Sequence, residues 1–166
     1  MKKLYALLII LIVIYLAINL LPLGFNSQTS TDTVNNSTIA IGESSFEKIG
    51  NFTDNKVNDT VVSLVDESNN MVINVSEIDS SQNIADIVDN AFYNVGYTSN
   101  ETINQSGVIS YFMYNEWEYS YDADIYFNKD GKNYLIRGVE IPYENGDYFI
   151  NSCKEIIDSL NVNSSN

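Results

Sequence analysis

The sequence predicts an α+β fold, in which an antiparallel β-sheet of about five strands packs with two α-helices and follows one N-terminal transmembrane helix. Three observations support this prediction. Several short runs of β-branched and aromatic residues alternate with polar residues, as half-buried antiparallel strands require. Two such runs meet at Asp130-Gly131, which is a strong hairpin signal. Two other segments carry apolar residues at helical spacing.

The first 25 residues, MKKLYALLIILIVIYLAINLLPLGF, predict a signal anchor. Lys2 and Lys3 are followed by 22 residues, 4–25, without a charged side chain. As a helix this stretch is about 33 Å long, which is enough to cross a hydrocarbon core of roughly 30 Å. A cleaved signal peptide is the alternative, but its apolar region is usually shorter and no A-x-A-like cleavage site follows here. With both lysines inside, the rest of the chain is expected outside the cell membrane.

The remaining chain divides into three segments. Residues 26–37 are polar apart from Val34 and predict a flexible stem, because such a segment buries too little apolar surface to offset its ordering entropy. The folded domain is expected over residues 38–162. Residues 163–166 are expected to form a short polar tail.

The charge of the exported part limits its partners. All 22 acidic residues but only six of the eight basic residues follow residue 25, so this part has a net charge of −16. A surface this acidic repels phosphate groups, which argues against nucleic acid, and cations or basic surfaces suit it better. Solubility in a salty or crowded exterior is the alternative explanation of the charge.

Residues 58–78 predict a β-hairpin, since two β-branched runs flank a cluster of turn formers at 66–70. Met71, Ile73 and Val75 share one face of the second strand, so that face is expected to point into the core. Residues 106–115 are a further strand candidate.

A helix is predicted from residue 84 to residue 95, where apolar residues recur at offsets of 3, 4, 7, 8 and 11. The apolar stripe consists of Ile84, Ile87, Val88, Ala91, Phe92 and Val95. Asp79 or Ser80 is predicted to cap its start, and Gly96 to end it in the left-handed conformation.

A run of acidic residues, 116–124, is the candidate interaction face. In a continuous strand, Glu116, Glu118, Asp122 and Asp124 share the solvent-facing side, while Trp117, Tyr119, Tyr121, Ala123, Ile125 and Phe127 share the other. The turn at Asp130-Gly131 places Asp124 opposite Arg137, Ile125 opposite Ile136, Phe127 opposite Tyr134, and Lys129 opposite Lys132. The predicted interaction face comprises Glu116, Trp117, Glu118, Asp122 and Asp124.

A second helix is predicted at residues 147–160, with Asp147 as its cap. Its apolar stripe consists of Phe149, Ile150, Cys153, Ile156, Ile157 and Leu160. Cys153 is the single cysteine, so it cannot form an internal disulfide, and its place in the stripe predicts a buried, inert thiol.

The residue inventory argues against catalysis. The chain has no histidine, which removes His-zinc sites, Ser-His-Asp triads and imidazole acid-base catalysis. Paired carboxylates hydrolyse glycosides only in a cleft that desolvates one of them, and an open strand face offers none. NKDGKN, residues 128–133, has its glycine at the fourth position rather than the sixth of an EF-hand loop. We therefore predict no catalytic residue and no specific metal site, although a weak calcium or magnesium site remains an alternative.

Neither GxGxxG nor GxxxxGK[ST] occurs in the sequence, so no nucleotide and no other cofactor is predicted. Aromatic residues are dense between residues 111 and 134, and filling of a small β-rich core explains most of them. Trp117 is the candidate exception, because an exposed indole could stack on a sugar or contact a protein partner.

Eight Asn-x-Ser/Thr sequons mark candidate glycosylation sites in an organism that N-glycosylates. Asn35, Asn36 and Asn163 begin the three that fall in the predicted stem and tail. The candidates within the predicted domain are Asn51, Asn58, Asn74, Asn100 and Asn104.

Several segments together resemble a PsbP-like domain, in particular the small membrane-anchored versions found outside the cells of archaea and some bacteria. They are IAIGESSF (39–46), VVSLVDESNNMVINVSEI (61–78), the helix that follows, SGVISYFMY (106–114), DIYFNKDGKNYLI (124–136) and DYFINSCKEIIDSL (147–160). The likeness extends from residue 38 to residue 162. It implies an antiparallel sheet flanked by helices, in a family that mostly binds other macromolecules and has no shared active site to assign here.

The sequence thus predicts a non-enzymatic cell-envelope protein, single-pass in the cell membrane, with an acidic extracytoplasmic domain that binds other components. Its expected partners are the membrane, through the N-terminal helix, and envelope proteins or glycans. The alternative is a weak divalent-cation or carbohydrate-binding surface domain that uses the acidic face or Trp117.

Overall fold

The computed structural model describes residues 38–163, which form ten β-strands and two α-helices and therefore an α+β fold, as predicted. The predicted anchor (1–25), the predicted stem (26–37) and residues 164–166 of the predicted tail lie outside the described residues. Within residues 38–163, neither helix combines the length and the apolar character that crossing a membrane requires.

The strands are β1 (Thr38–Ile41), β2 (Ser44–Glu47), β3 (Thr53–Asn58), β4 (Val61–Asp66), β5 (Met71–Ile78), β6 (Ser99–Gln105), β7 (Val108–Glu116), β8 (Ser120–Lys129), β9 (Lys132–Pro142) and β10 (Asn161–Val162). The helices are α1 (Ile84–Ala91) and α2 (Gly146–Ser159).

The described strands form two antiparallel sheets rather than the single five-stranded sheet that the sequence predicted. One sheet has seven strands in the order β3-β4-β5-β9-β8-β7-β6, and the other has three in the order β1-β2-β10. The count was wrong because β1, β2 and β10 are only two to four residues long, and because the two edge strands of the large sheet carry little hydrophobic alternation. The edge strand β3, TDNKVN, is exposed at every position, and the other edge strand, β6, reads SNETINQ.

The seven-stranded sheet is covered on both faces. On one face, α2 and the three-stranded sheet enclose the larger core, which includes Phe46, Ile73, Phe127, Ile136 and Phe149. On the opposite face, α1 covers a smaller core that contains Val88, Tyr97, Met113 and Tyr126. These two sides of the sheet are called the α2 face and the α1 face below.

The central hairpin has the predicted register. Asp130 and Gly131 join β8 to β9 with φ angles of 50° and 83°, the left-handed values that a tight two-residue hairpin turn requires. Asp124 pairs with Arg137, Ile125 with Ile136, Phe127 with Tyr134, and Lys129 with Lys132, all as predicted. The hairpin of β4 and β5 is also confirmed, and the side chains of Met71, Ile73 and Val75 are buried.

The first helix is shorter than predicted and has a different cap. α1 ends at Ala91 and continues as a π-helical turn, Phe92–Gly96, so that Val95 is exposed rather than packed. The cap is Asn83, whose Oδ1 accepts the Ala85 N–H at 2.9 Å, because Asp79 and Ser80 lie too far upstream to reach the first turn. Gly96 has the predicted left-handed conformation, with φ of 78°.

The second helix is confirmed, but its cap is not. The residue before the helix is Asn145 rather than Asp147, which lies inside the first turn, and no side chain caps the helix there. Cys153 is buried and unbridged, and burial raises the pKa of its thiol well above the usual value. The Tyr148 hydroxyl donates to Asp66 at 2.9 Å and so ties α2 to the β4–β5 turn.

The acidic stretch does not form one continuous strand, which was the condition for the predicted division into two faces. β7 ends at Glu116, residues 117–119 form a tight connection, and β8 starts at Ser120. The Trp117 N–H donates to the Ser120 carbonyl at 2.9 Å, which closes a hairpin and pairs Glu116 with Tyr121.

Gly138 of β9 is predicted to tolerate no side chain. A Cβ atom there would lie 2.6 Å from both Ile141 Cδ1 and Phe149 Cε2, where the sheet touches α2. Gly138→Ala should lower the free energy of unfolding by about 1–3 kcal/mol, because close-packed cores resist added atoms. Urea denaturation of the full chain in detergent would measure this change.

Gly146→Ala is the matched control. A Cβ at Gly146 would meet Tyr121 Oη at 3.4 Å, an ordinary contact, and alanine is the better helix former in α2. This variant should be as stable as the parent chain or slightly more so. Equal losses in both variants would contradict the packing explanation.

Candidate functional site

The predicted interaction face is divided among three environments. Glu116 ends β7 on the α2 face, and Glu118 lies exposed in the connection to β8. Asp124 is only 3% exposed and points to the α1 face, whereas Asp122 lies at an irregularity of β8 between the residues paired with Ile141 and Gly138. Glu116 thus faces the opposite side of the sheet from Asp122 and Asp124, so the five residues do not share one surface.

A different cavity collects aromatic and acidic side chains on the α2 face. It has a volume of about 430 Å³ and lies between β6–β8 and the start of α2. We call it the aromatic pocket, and its lining comprises Glu101, Ile103, Phe112, Tyr114, Glu116, Tyr121, Tyr143, Glu144, Gly146, Asp147 and Ile150.

A row of four aromatic rings forms one wall of the aromatic pocket. The ring centroids of Phe112 and Tyr114 are 5.2 Å apart, those of Tyr114 and Tyr121 are 6.4 Å apart, and those of Tyr121 and Tyr143 are 5.9 Å apart. Alternation along β7 places Phe112, Tyr114 and Glu116 on the same side of the strand. Burial raises the pKa of Tyr121 to about 12, so its hydroxyl stays neutral at ordinary pH.

Four exposed carboxylates belong to the same lining: Glu101, Glu116, Glu144 and Asp147. The lining contains no lysine or arginine. Among the ion pairs of residues 38–163, none involves any of these four carboxylates. The pocket therefore combines π-electron faces with uncompensated negative charge.

This combination suits a bulky organic cation. An ammonium or guanidinium group over a tyrosine face gains electrostatic attraction, and the surrounding carboxylates add to it. A small metal ion needs several oxygens converging on one point. Within residues 38–163, no group of three or more acidic, cysteine or histidine side chains is placed to hold one.

Asp124 is the centre of a polar cluster on the α1 face. Arg137 donates to it through two bonds, from Nε to Oδ1 at 2.7 Å and from Nη2 to Oδ2 at 2.6 Å. The Tyr97 hydroxyl also donates to Asp124 Oδ2. Burial, together with this bond to a carboxylate, raises the pKa of Tyr97 far above its usual value. The Asp124–Arg137 pair is therefore partly buried. The alternation in the sequence placed Asp124 on the solvent-facing side of the strand, which implied an exposed pair.

The connection between β7 and β8 exposes two large aromatic side chains. Trp117 is 57% exposed and Tyr119 is 75% exposed. Trp117 is held at both ends, because its indole N–H donates to Asp122 Oδ2 at 3.1 Å and its carbonyl accepts the Tyr143 hydroxyl at 2.8 Å. The alternation that placed Trp117 and Tyr119 on the side away from solvent is therefore wrong for these two residues, because both lie in the connection and not in a strand.

The sequons lie in different environments. Asn51, Asn58, Asn100 and Asn104 are exposed, as is Asn163 in the described part of the tail. Asn74 is half-buried and lies in the interior strand β5, paired with Ser63 on one side and Arg137 on the other. A glycan on Asn74 would therefore have to project from the middle of the sheet, between neighbouring strands. Asn74 is therefore the least accessible candidate among the five.

Most of the aromatic pocket was not found from the sequence. Glu116 was singled out, but Glu101, Tyr143, Glu144 and Asp147 come from other segments that only the fold brings together. The segment YENGDY, residues 143–148, does carry a local signal, since acidic and aromatic residues alternate immediately before and within the first turn of α2.

Comparison with known proteins finds a similar solved structure but no match among family models or curated proteins. No family model and no curated protein matches the chain. Among solved structures, the solution structure of cyanobacterial PsbP (CyanoP) from Synechocystis sp. PCC 6803 is similar to it, over 81% of this chain and 98% of that chain. The sequence identity is 13% and the TM-score is 0.48. The neighbour bears the name of the family that the sequence resembles, but neither membership of that family nor a function follows from a likeness at this level.

The Asp124–Arg137 pair is predicted to be a coupled unit for stability. Arg137→Met should lower the free energy of unfolding by about 1–3 kcal/mol, because it leaves the buried Asp124 carboxylate without its cation. The double variant Asp124→Asn/Arg137→Met should recover part of this loss, since it removes the buried charge and keeps an acceptor for Tyr97. Urea denaturation of the parent chain, both single variants and the double variant measures the coupling, and a double variant no more stable than Arg137→Met would contradict it.

Proposed function

We propose that this chain is a non-enzymatic, extracytoplasmic binding domain, held at the cell membrane by residues 1–25, that docks a basic side chain of an envelope protein in the aromatic pocket. The observation that carries the proposal is the set of four carboxylates around a wall of four aromatic rings. A lysine or arginine side chain supplies both the charge and the extended apolar stem that such a pocket accommodates.

The net charge of the domain supports the same kind of partner. Residues 26–166 carry 22 acidic and six basic residues, so a basic protein surface is attracted over the whole face and not only at the pocket. Charges of this kind raise the association rate and favour the correct orientation. The aromatic pocket then provides the local contact that a diffuse charge cannot.

Binding fits the chemistry of the pocket better than catalysis does. General acid catalysis at neutral pH needs a carboxylic acid whose pKa is raised by desolvation. The four pocket carboxylates are all exposed and the chain has no histidine. The alternative, a divalent-cation site, has less support, because within residues 38–163 no group of three or more acidic, cysteine or histidine side chains is placed to hold a metal ion.

The aromatic pocket is predicted to prefer a guanidinium group to its neutral isostere. N-acetylarginine amide and N-acetylcitrulline amide have nearly the same shape and differ in charge. Titration of the full chain, followed by NMR shifts of the pocket residues, should show binding of the arginine compound only. Glu101→Gln/Glu116→Gln should weaken this binding about twofold to tenfold, the effect of removing two exposed charges.

The matched control is Asp86→Asn/Asp89→Asn in α1. It removes the same two charges from exposed positions on the opposite face of the sheet. Its affinity for the arginine compound should remain that of the parent chain. Equal weakening in both double variants would show attraction by net charge alone, and binding of calcium as strong as that of arginine would overturn the choice of an organic cation.

Residues 1–25 are predicted to anchor the chain in the membrane. The full chain should sediment with membranes and resist extraction by high salt, because a 22-residue apolar helix is held by the hydrophobic effect and not by charge. Protease added to intact cells should remove residues beyond the anchor. Recovery of the full-length chain in the cytosol would contradict both the anchor and the extracytoplasmic location.

A further inference from the structure

Two departures from regular backbone meet on the α1 face at one end of the sheet. α1 continues into the π-helical turn Phe92–Gly96, and a β-bulge sets Val139 and Glu140 of β9 against the single residue Asp122 of β8. Glu140 has a φ of 53°, which is a left-handed value that side chains other than glycine rarely adopt. Each departure is unfavourable by itself, and such features concentrate at functional sites.

These irregular segments surround a cavity of about 260 Å³. We call it the Arg137 cavity, and its lining includes Val95, Asn115, Asp122, Asp124, Arg137 and Val139. None of these residues lines the aromatic pocket, which opens on the α2 face of the same sheet. The volume lies just below the range of roughly 300–1,000 Å³ that is usual for drug-sized ligands, so a ligand of one ring fits it.

The acceptor atoms of the Arg137 cavity already have partners within the domain. Asp122 Oδ1 accepts the Glu140 N–H at 2.7 Å, and its Oδ2 accepts the Trp117 indole N–H. Both oxygens of Asp124 accept from Arg137. Asn115 Oδ1 accepts the Thr98 N–H at 3.0 Å.

The hydrogen-bond donors of the cavity, in contrast, include nitrogens that have no partner among residues 38–163. Arg137 uses Nε and Nη2 for Asp124, and among residues 38–163 its Nη1 has no hydrogen-bond partner. The Arg137 side chain is 47% exposed, so that this nitrogen can meet a ligand. Asn115 Nδ2 is likewise without a partner among these residues. The cavity therefore offers N–H groups that acceptor oxygens of a ligand could engage.

The charges around the donors favour neutral oxygens over a carboxylate. Asp124 neutralises Arg137 at 2.6 Å, and Asp122 adds a second negative charge to the lining. An anionic ligand would meet both carboxylates and the acidic domain as a whole. Hydroxyl, ether and carbonyl oxygens can accept the same hydrogen bonds without this repulsion.

Apolar surface lies beside the donors. The bond to Asp122 holds the Trp117 indole next to the lining, and Val95 and Val139 are exposed members of the lining itself. A ligand that combines acceptor oxygens with apolar C–H faces matches both features, because the C–H face packs on an aromatic ring while the oxygens bind the polar groups. A monosaccharide ring has this composition in one compact unit.

We propose that the Arg137 cavity binds a neutral monosaccharide unit, with hydroxyl oxygens on Arg137 Nη1 and Asn115 Nδ2 and the sugar ring against Trp117. This site is independent of the aromatic pocket and does not rest on the function proposed for it.

The single tryptophan makes the test direct, since Trp117 is the only source of indole fluorescence in the chain. The full chain, in a polyoxyethylene detergent that carries no sugar, is titrated with the methyl glycosides of glucose, galactose, mannose and N-acetylglucosamine. At least one glycoside should shift or quench the emission saturably. Sorbitol and a neutral dipeptide amide should not, because the first has no ring and the second has no sugar face.

Two variants test the donors. Arg137→Lys keeps a cation for Asp124 but removes the guanidinium fork, and Asn115→Asp keeps the acceptor for the Thr98 N–H but removes the donor. Each should weaken glycoside binding about tenfold, the usual effect of losing a hydrogen bond in a binding site. The Asn115 variant leaves the ion pair intact, so it serves if the Arg137 variant is unstable.

Glu101→Gln/Glu116→Gln, in the aromatic pocket, should leave glycoside binding unchanged. The proposal is overturned if no glycoside of the panel alters Trp117 emission, if both donor variants bind as tightly as the parent chain, or if the dipeptide amide binds as well as the sugars. The last result would identify the cavity as a peptide site. None of these results bears on binding of the arginine compound to the aromatic pocket.

Discussion

Burial of β8 on both faces is the constraint on which the rest of the structure depends. From Ala123 to Phe127 every side chain of this strand is buried, because α2 and the small sheet cover one face and α1 covers the other. The one charge in this segment, Asp124, therefore needs a partner inside the protein, and the chain places its single arginine directly opposite. Near Tyr121 and Asp122 the helices and the small sheet no longer cover β8. There the aromatic pocket opens on the α2 face and the Arg137 cavity on the α1 face.

The distribution of charge follows from how few basic residues the domain has. Lys48, Lys56, Lys132 and Arg137 pair with acidic side chains, and Lys129 donates to the carbonyls of Ile157 and Asp158 near the end of α2. Cations that serve the fold in this way do not neutralise the rest of the surface. The carboxylates of the aromatic pocket consequently have no ion-pair partner within residues 38–163, which is the physical reason why a cation is the ligand proposed there.

The parts of the fold that bury apolar residues could be predicted from the sequence. The alternation in β5, the stripe of α2 and the turn at Asp130-Gly131 each reflect a local requirement for burial or for a positive φ. β3 and β6 are edge strands with mostly polar residues, so neither leaves such a pattern, although Ser106-Gly107 is a turn of the same kind as Asp130-Gly131 and marks the end of β6. The sites could not be predicted as units, because Glu101, Glu116 and Asp147 are far apart in the sequence and meet only through the strand order.

The two cavities are complementary in hydrogen-bonding character, and this separates their ligands. The aromatic pocket offers four carboxylates and no cationic donor, whereas the Arg137 cavity has its carboxylates engaged and offers donors from Arg137 and Asn115. A cation that suits the aromatic pocket would be repelled by the guanidinium of Arg137 in the other cavity. A neutral sugar that suits the Arg137 cavity would leave the carboxylates of the aromatic pocket uncompensated. One sheet with a different helix on each face can thus hold two unlike sites without either ligand competing for the other.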